Sequence, residues 1–187
     1  MIAIIDYGVG NLFSLKSSLA AIGREAVVTG DRAVLRAASH VILPGVGAFG
    51  DAAARLRAAG MAEAVLEAAA AGKPVLGLIP GEVRPIRDVI PAGLAVPHMG
   101  WNALRFPAER PRSPIFAALE EGEHVYFVHS YAGFACGEGL TAWTEYGAPL
   151  TAAVQRGNVY GTQFHPEKSG DVGLRILKAF CGLEGEA

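Results

Sequence analysis

Apolar and polar positions follow two regimes along the chain. In the first half, short apolar runs alternate with segments of helical spacing. Ile2–Ile5 is a continuous apolar run, the pattern of a strand buried on both faces. Leu12, Leu15, Leu19 and Ile22 recur at three and four residues, one face of a helix that Gly23 closes. Ala26–Thr29 and His40–Leu43 read as two further short strands, the second stopped by Pro44-Gly45. Asp51 to Ala71 is alanine-rich, with Leu56, Val65 and Leu66 as its larger apolar residues, and predicts a helix with Gly72 at its C-cap. Lys73–Leu78 predicts a fourth strand. Alternating β and α units imply an open, doubly wound, mostly parallel sheet with helices on both faces.

The second half changes to closely spaced strands with Gly and Pro turns, which adds antiparallel pairing to the sheet. His124–His129, Leu140–Tyr146, Thr151–Gln155 and Asn158–Phe164 are these strands, and Arg156-Gly157-Asn158 makes a hairpin turn between the last two. Asp171 to Phe180 predicts a closing helix. Pro97-His98-Met99-Gly100-Trp101-Asn102 reads as turn residues carrying large apolar side chains, a pattern of core packing or of a partner surface. Neither a repeat nor a linker divides the chain, so residues 1–187 are expected to form a single domain.

One connection breaks the rule. The strand ending Gly77-Leu78 runs straight into Ile79-Pro80-Gly81. A parallel neighbour needs a crossover of about a dozen or more residues, usually helical. Either this strand lies at the sheet edge or a segment near 77–79 is absent.

Composition narrows the function classes. The chain is 51% hydrophobic and 18% charged, with mean hydropathy +0.31, enough apolar surface to offset chain entropy. A net charge of −2 and no long basic run speak against a nucleic-acid partner. The longest apolar stretches are too short for a membrane span, and Met1–Asp6 lacks the basic start and long core of a signal peptide, so a cytoplasmic location without membrane partners is expected. Cys136 and Cys181 are then expected as free thiols.

Three segments carry candidate chemistry. Gln163-Phe164-His165-Pro166-Glu167 ends a strand in a histidine with a carboxylate two residues on. A carboxylate that fixes an imidazole tautomer is the orienting half of a nucleophilic triad, although His-x-Glu alone fits a satisfied strand-end histidine equally well. Leu43-Pro44-Gly45-Val46-Gly47-Ala48-Phe49-Gly50-Asp51 contains G-x-G-x-x-G, but the next strand ends without the acid that a dinucleotide would need. The segment suits a tight turn with Asp51 capping a helix, or exposed N–H groups facing an oxyanion. Asp6-Tyr7-Gly8-Val9-Gly10-Asn11 follows the first strand and permits either a plain turn or close approach of backbone to a ligand. His40, His98, His124 and His129 show no metal-ligand spacing, and no metal or cofactor is expected.

In order, D-Y-G-x-G-N, L-P-G-V-G-A-F-G-D, P-H-M-G-W-N, V-H-S-Y and Q-F-H-P-E-K-S closely resemble the glutaminase subunits of imidazole glycerol phosphate synthase, class I (triad) glutamine amidotransferases of histidine biosynthesis. The resemblance covers essentially the whole chain. Q-F-H-P-E is shared by many triad amidotransferases, whereas P-G-V-G-A-F-G-D and P-H-M-G-W-N look specific to this subunit. The glutaminase subunit of pyridoxal phosphate synthase is similar in size, but its P-G-G-E-S turn is absent.

The resemblance implies a flavodoxin-like first half and hydrolysis of L-glutamine to glutamate and ammonia. The ammonia would pass to a (β/α)₈-barrel cyclase partner in a heterodimer, which makes imidazole glycerol phosphate and an aminoimidazole ribonucleotide. It places His165 and Glu167 in the triad, the Val46 and Gly47 backbone at the oxyanion, and Ser130 and Tyr131 near glutamine. Tyr7, Asn11, Trp101, Tyr126 and Lys168 resemble interface positions. The nucleophilic cysteine is missing. The family carries it on an elbow resembling L-G-[IV]-C-x-G-x-Q, after the strand that here reads K-P-V-L-G. Two readings follow: the elbow is left out of this sequence, or the chain lacks it and is a docking subunit without glutaminase activity. Omission is favoured, because removing a helix from the middle of a parallel sheet uncovers one of its faces.

Overall fold

The computed structural model describes residues 1–45, 49–77 and 82–185. Its elements in order are β1 (Ile2–Ile5), α1 (Leu12–Ala21), β2 (Ala26–Thr29), α2 (Arg32–Ala37), β3 (His40–Ile42), α3 (Phe49–Ala58), α4 (Ala62–Ala70), β4 (Val75–Leu76), β5 (Glu82–Pro85), β6 (His98–Ala103), β7 (His124–His129), β8 (Tyr131–Phe134), β9 (Leu140–Glu145), β10 (Pro149–Arg156), β11 (Val159–Thr162) and α5 (Gly170–Phe180). Seven strands form one sheet in the order β2-β1-β3-β4-β11-β10-β9. The first five are parallel, and β10 and β9 extend the sheet antiparallel. Two small antiparallel ladders, β5–β8 and β6–β7, complete the molecule.

Helices cover both faces, as the alternating pattern requires. Val75 and Leu76 are consecutive and point to opposite sides. Val75 packs with Leu35, Leu56, Met61 and Val65 beneath α2, α3 and α4. Leu76 joins Leu19, Phe127, Phe164, Ile176 and Phe180 beneath α1 and α5. Both faces of β4 are therefore core, which is why Val75 and Leu76 are buried.

Four sequence expectations are corrected. The strand before the seam is not at an edge: β4 pairs β3 on one side and β11 on the other. The alanine-rich helix is two helices, because Gly60 adopts φ +67 between α3 and α4. Asp51 lies inside the first turn of α3 and does not precede it as a cap. The segment around Trp101 is strand β6, fully paired with β7 from His98–His129 to Ala103–His124. A short helix, α2, also lies between β2 and β3, where helical spacing was not evident. Leu78, the expected last residue of the fourth strand, falls outside the described residues.

Candidate active site

Ligands of open α/β sheets bind beyond the carboxyl ends of the parallel strands. Four segments meet that edge here: Asp6–Asn11 after β1, Pro44-Gly45 after β3, Gly77 after β4 and Gln163–Lys168 after β11. They are tied closely. The Tyr7 hydroxyl donates to the Pro44 carbonyl at 2.5 Å. The Leu43 N–H donates to the Leu76 carbonyl, and the Gly77 N–H to the Tyr160 carbonyl. Gly77 has φ +134, and a Cβ there would sit 2.3 Å from the Leu43 carbonyl oxygen, so only glycine fits where β4 leaves the sheet. The seam of the sequence is thus at the centre of this edge, between β3 and β11.

His165 leaves the end of β11 beside that point. Its Nδ1 lies 2.9 Å from Glu167 Oε1, and the two side chains are only 14% and 9% exposed. Pro166–Lys168 form a single 3-10 turn, which brings the carboxylate back to the ring. The backbone is fixed from two directions. The His165 N–H donates to the Tyr126 carbonyl of β7, and Ser169 Oγ donates to the His165 carbonyl while accepting from the Tyr126 N–H. Gly173 of α5 lets the turn approach, since a Cβ there would lie 1.9 Å from the Pro166 carbonyl oxygen. With Glu167 accepting from Nδ1–H, the imidazole offers Nε2 to a reacting group.

β7 carries the next candidates past the same histidine. Tyr126 is half-buried under the Trp101 ring, with ring centroids 5.9 Å apart, and Trp101 itself is 54% exposed. Ser130 and Tyr131 follow β7; the Ser130 carbonyl accepts from the Ile86 N–H, and Tyr131, about half-exposed, opens β8. Lys168 is exposed beside the histidine turn. Asn11 is the N-cap of α1, its side-chain oxygen accepting from the Ser14 N–H. Tyr7 is not on the surface. It is buried in the cluster beneath α3 and α4, and burial raises the pKa of its hydroxyl. Val46 and Gly47 lie outside the described residues.

The two cysteines are placed elsewhere. Cys181 caps the end of α5 in the core, where burial pushes its thiol up to about 11. The Cys136 sulfur lies 3.7 Å from the Phe134 carbonyl and 3.8 Å from Thr151 Oγ1, on β8 and β10. The site therefore brings an imidazole and a carboxylate together without a thiol among the described residues. No cluster of metal-ligating side chains occurs among them, and none of their helices is long and apolar enough to cross a membrane.

Sequence reasoning missed Ser169 and Gly173, whose roles come from the packing of α5 on the histidine turn. It also passed over a buried chain linking His98, His129 and Asn102, which ligand spacing cannot reveal because its members hydrogen-bond one another.

The model of the family "Glutamine amidotransferase class-I" matches residues 86–181. The imidazole glycerol phosphate synthase subunit HisH of Moorella thermoacetica is 45% identical, with 97% of this chain and 94% of that protein covered. HisH of Methanothermobacter thermautotrophicus is 44% identical over 98% of both. Both alignments run over 205 positions against a chain of 187 residues, so at least 18 positions have no counterpart here. Among solved structures, one described as PurLQS from Thermotoga maritima superposes with a TM-score of 0.73 at 21% identity, covering 96% of each chain, a likeness of fold.

Proposed function

The chain belongs to the HisH family, the glutamine amidotransferase subunits of imidazole glycerol phosphate synthase in histidine biosynthesis, and from that premise we propose how its site works and what it lacks. The observation that carries the proposal is the His165–Glu167 pair at the edge of β11, beside the seam where β4 ends. In the complete reaction a cysteine thiolate attacks the side-chain amide carbon of L-glutamine. His165 Nε2 takes the thiol proton and returns it to the departing ammonia. Water then releases glutamate from the thioester, with His165 again moving the proton. Glu167 holds the ring in one tautomer and stabilises the imidazolium. The family resemblance assigns Val46 and Gly47 to the oxyanion, and Ser130 and Tyr131 to the glutamine.

The thiol belongs on an elbow after Gly77. The 18 or more unmatched positions are the right number for an elbow and a crossover helix at about 3.6 residues per turn. Without them the chain keeps the proton carrier and loses the nucleophile. As 187 residues it is a docking subunit without glutaminase activity; with the elbow it is a glutaminase.

Ammonia passes to a cyclase partner with a (β/α)₈ barrel, in a heterodimer. The exposed ring of Trp101, together with Asn11, Tyr126 and Lys168, forms the joining face on the side of the histidine turn. Intact mass and glutamate release, measured on one sample of the natural protein bound to the cyclase, test this reading. A mass above 19.4 kDa with glutamate release supports the complete glutaminase, and 19.4 kDa without release supports the docking subunit. Release at an ordinary enzymatic rate from a 19.4 kDa chain overturns the reading.

A further inference from the structure

A continuous chain of polar groups runs through the core from β8 to β9. His129 Nδ1 lies 2.8 Å from the Tyr131 carbonyl oxygen. His129 Nε2 lies 2.9 Å from His98 Nδ1. His98 Nε2 lies 2.9 Å from the Asn102 amide oxygen, and the Asn102 amide nitrogen donates to the Glu145 carbonyl at 3.0 Å. His98 is fully buried and His129 nearly so.

The protons in this chain can be counted. Four links need four hydrogens, and both ends are carbonyls that only accept. Each neutral imidazole supplies one hydrogen. The Asn102 amide donates on one side and accepts on the other, so it supplies one, whichever way it is turned. The neutral chain has three hydrogens for four links. One link must then bring two lone pairs together at hydrogen-bond distance inside the core, where an unmade bond is expensive. A single added proton completes all four.

We propose that His98 and His129 share one proton and act together as positioning residues, clamping the Ser130–Tyr131 segment to β6. This deepens the proposed reading, since Ser130 and Tyr131 are the residues assigned there to glutamine. Through the clamp, the Tyr131 backbone is tied to the strand that carries Met99 and Trp101 on its exposed side.

The surroundings favour one charge and resist two. His98 stacks between the rings of Phe127 and Tyr146, at 4.9 and 4.0 Å between centroids, and aromatic faces attract a cation. No carboxylate hydrogen-bonds either ring among the described residues. The titratable group facing the pair is His165, next to Glu167, and a proton on it opposes one on His129. Burial lowers the pKa of both histidines, so the shared proton is taken up below the ordinary histidine range.

Nitrogen-15 NMR of histidine-labelled protein across pH tests the count. In the unmodified chain, the rings of His98 and His129 should take up one proton with a single midpoint below pH 6.5. The carbon-13 resonance of the Tyr131 carbonyl should move with the same midpoint. In Asn102→Leu only two links remain, and two neutral rings satisfy them. The midpoint should then fall by at least one pH unit, a tenfold loss of proton affinity. Asn102→Ala makes the same change with less bulk and serves if the leucine variant does not fold. Independent titration of the two rings, no uptake before acid unfolding, an unchanged midpoint in a folded Asn102 variant or a Tyr131 carbonyl that ignores the midpoint each overturns the proposal. These readings need neither glutamine nor turnover, so they fail or stand separately from the glutaminase reading.

Discussion

The Nδ1 atom of His165 faces Glu167 Oε1 at 2.9 Å across a single proline-containing turn, with both side chains largely withdrawn from water. In such a setting the carboxylate decides which ring nitrogen carries hydrogen. Glu167→Gln keeps the shape and loses the charge. In a chain that carries the elbow cysteine, bound to the cyclase, turnover should fall at least about tenfold with little change in glutamine affinity, because Glu167 acts through His165. His165→Ala should be worse, since it removes the proton carrier. Steady-state glutamate production measures both, and unchanged turnover in Glu167→Gln would make this carboxylate a structural strand-end residue.

The histidine turn depends on how closely α5 approaches it. A Cβ at Gly173 would overlap the Pro166 carbonyl oxygen, and backbone cannot yield as a flexible side chain can. Gly173→Ala should destabilise the fold by about 1–3 kcal/mol, the usual cost of overpacking, and lower the melting temperature by several degrees. A melting curve that matches the unmodified protein would show that α5 shifts freely.

Trp101 is half-exposed on a strand in which only His98 is fully buried. Truncating it removes little buried area in the free chain and, on the proposed joining face, takes an aromatic contact from the complex. Trp101→Ala should weaken association with the cyclase by about 2 kcal/mol, roughly thirtyfold, with little effect on melting temperature. Unchanged affinity beside a large drop in melting temperature would assign the ring to the fold instead.

Acid should weaken this protein before its carboxylates titrate. Burial depresses the His129 pKa to about 4 in the folded state, against about 6.5 when unfolded. Above pH 6.5 both states are neutral there and nothing is lost. As pH falls from 6.5 towards 4, the unfolded state binds a proton that the folded state resists, so stability declines across that window. Urea unfolding at pH 7.5 and pH 5 should show the decline, and His129→Asn should flatten it. A stability that stays level over this range in the unmodified protein would contradict the depressed value.

Much of this was legible in the sequence. The apolar runs of β1, β2 and β3, the exact span of His124–His129 and the helix ending at Phe180 all stood out, because each is a local pattern of period two, period 3.6 or continuous burial. The His-x-Glu geometry was also legible, since proline leaves the strand few ways to end. What stayed hidden depends on partners distant in sequence. His98–Ala103 resembles a turn by its glycine and by Pro97 before it, yet β7 supplies its ladder from more than twenty residues away. The break at Gly60 was masked by strong helix formers on both sides. The His98–His129 chain is invisible until β6 and β7 pair, because alone each residue is merely a histidine in an apolar run. The missing crossover was visible in both ways: as a gap in the motif and as a strand with no helix after it. Its place at the centre of the sheet came only with the fold.

The most direct test restores what the seam lacks. The 187-residue chain and a version with an elbow segment of the L-G-[IV]-C-x-G-x-Q pattern, its helix and loop inserted after Gly77 are each bound to the cyclase and assayed for glutamate release. The 187-residue chain should release none above background, since losing a triad nucleophile costs roughly 10⁶ in turnover, and the elbow-bearing chain should turn over glutamine. Ordinary turnover by the shorter chain, or none by a folded, cyclase-bound elbow-bearing chain, would contradict the assignment of His165 and Glu167 to a thiol carried after β4.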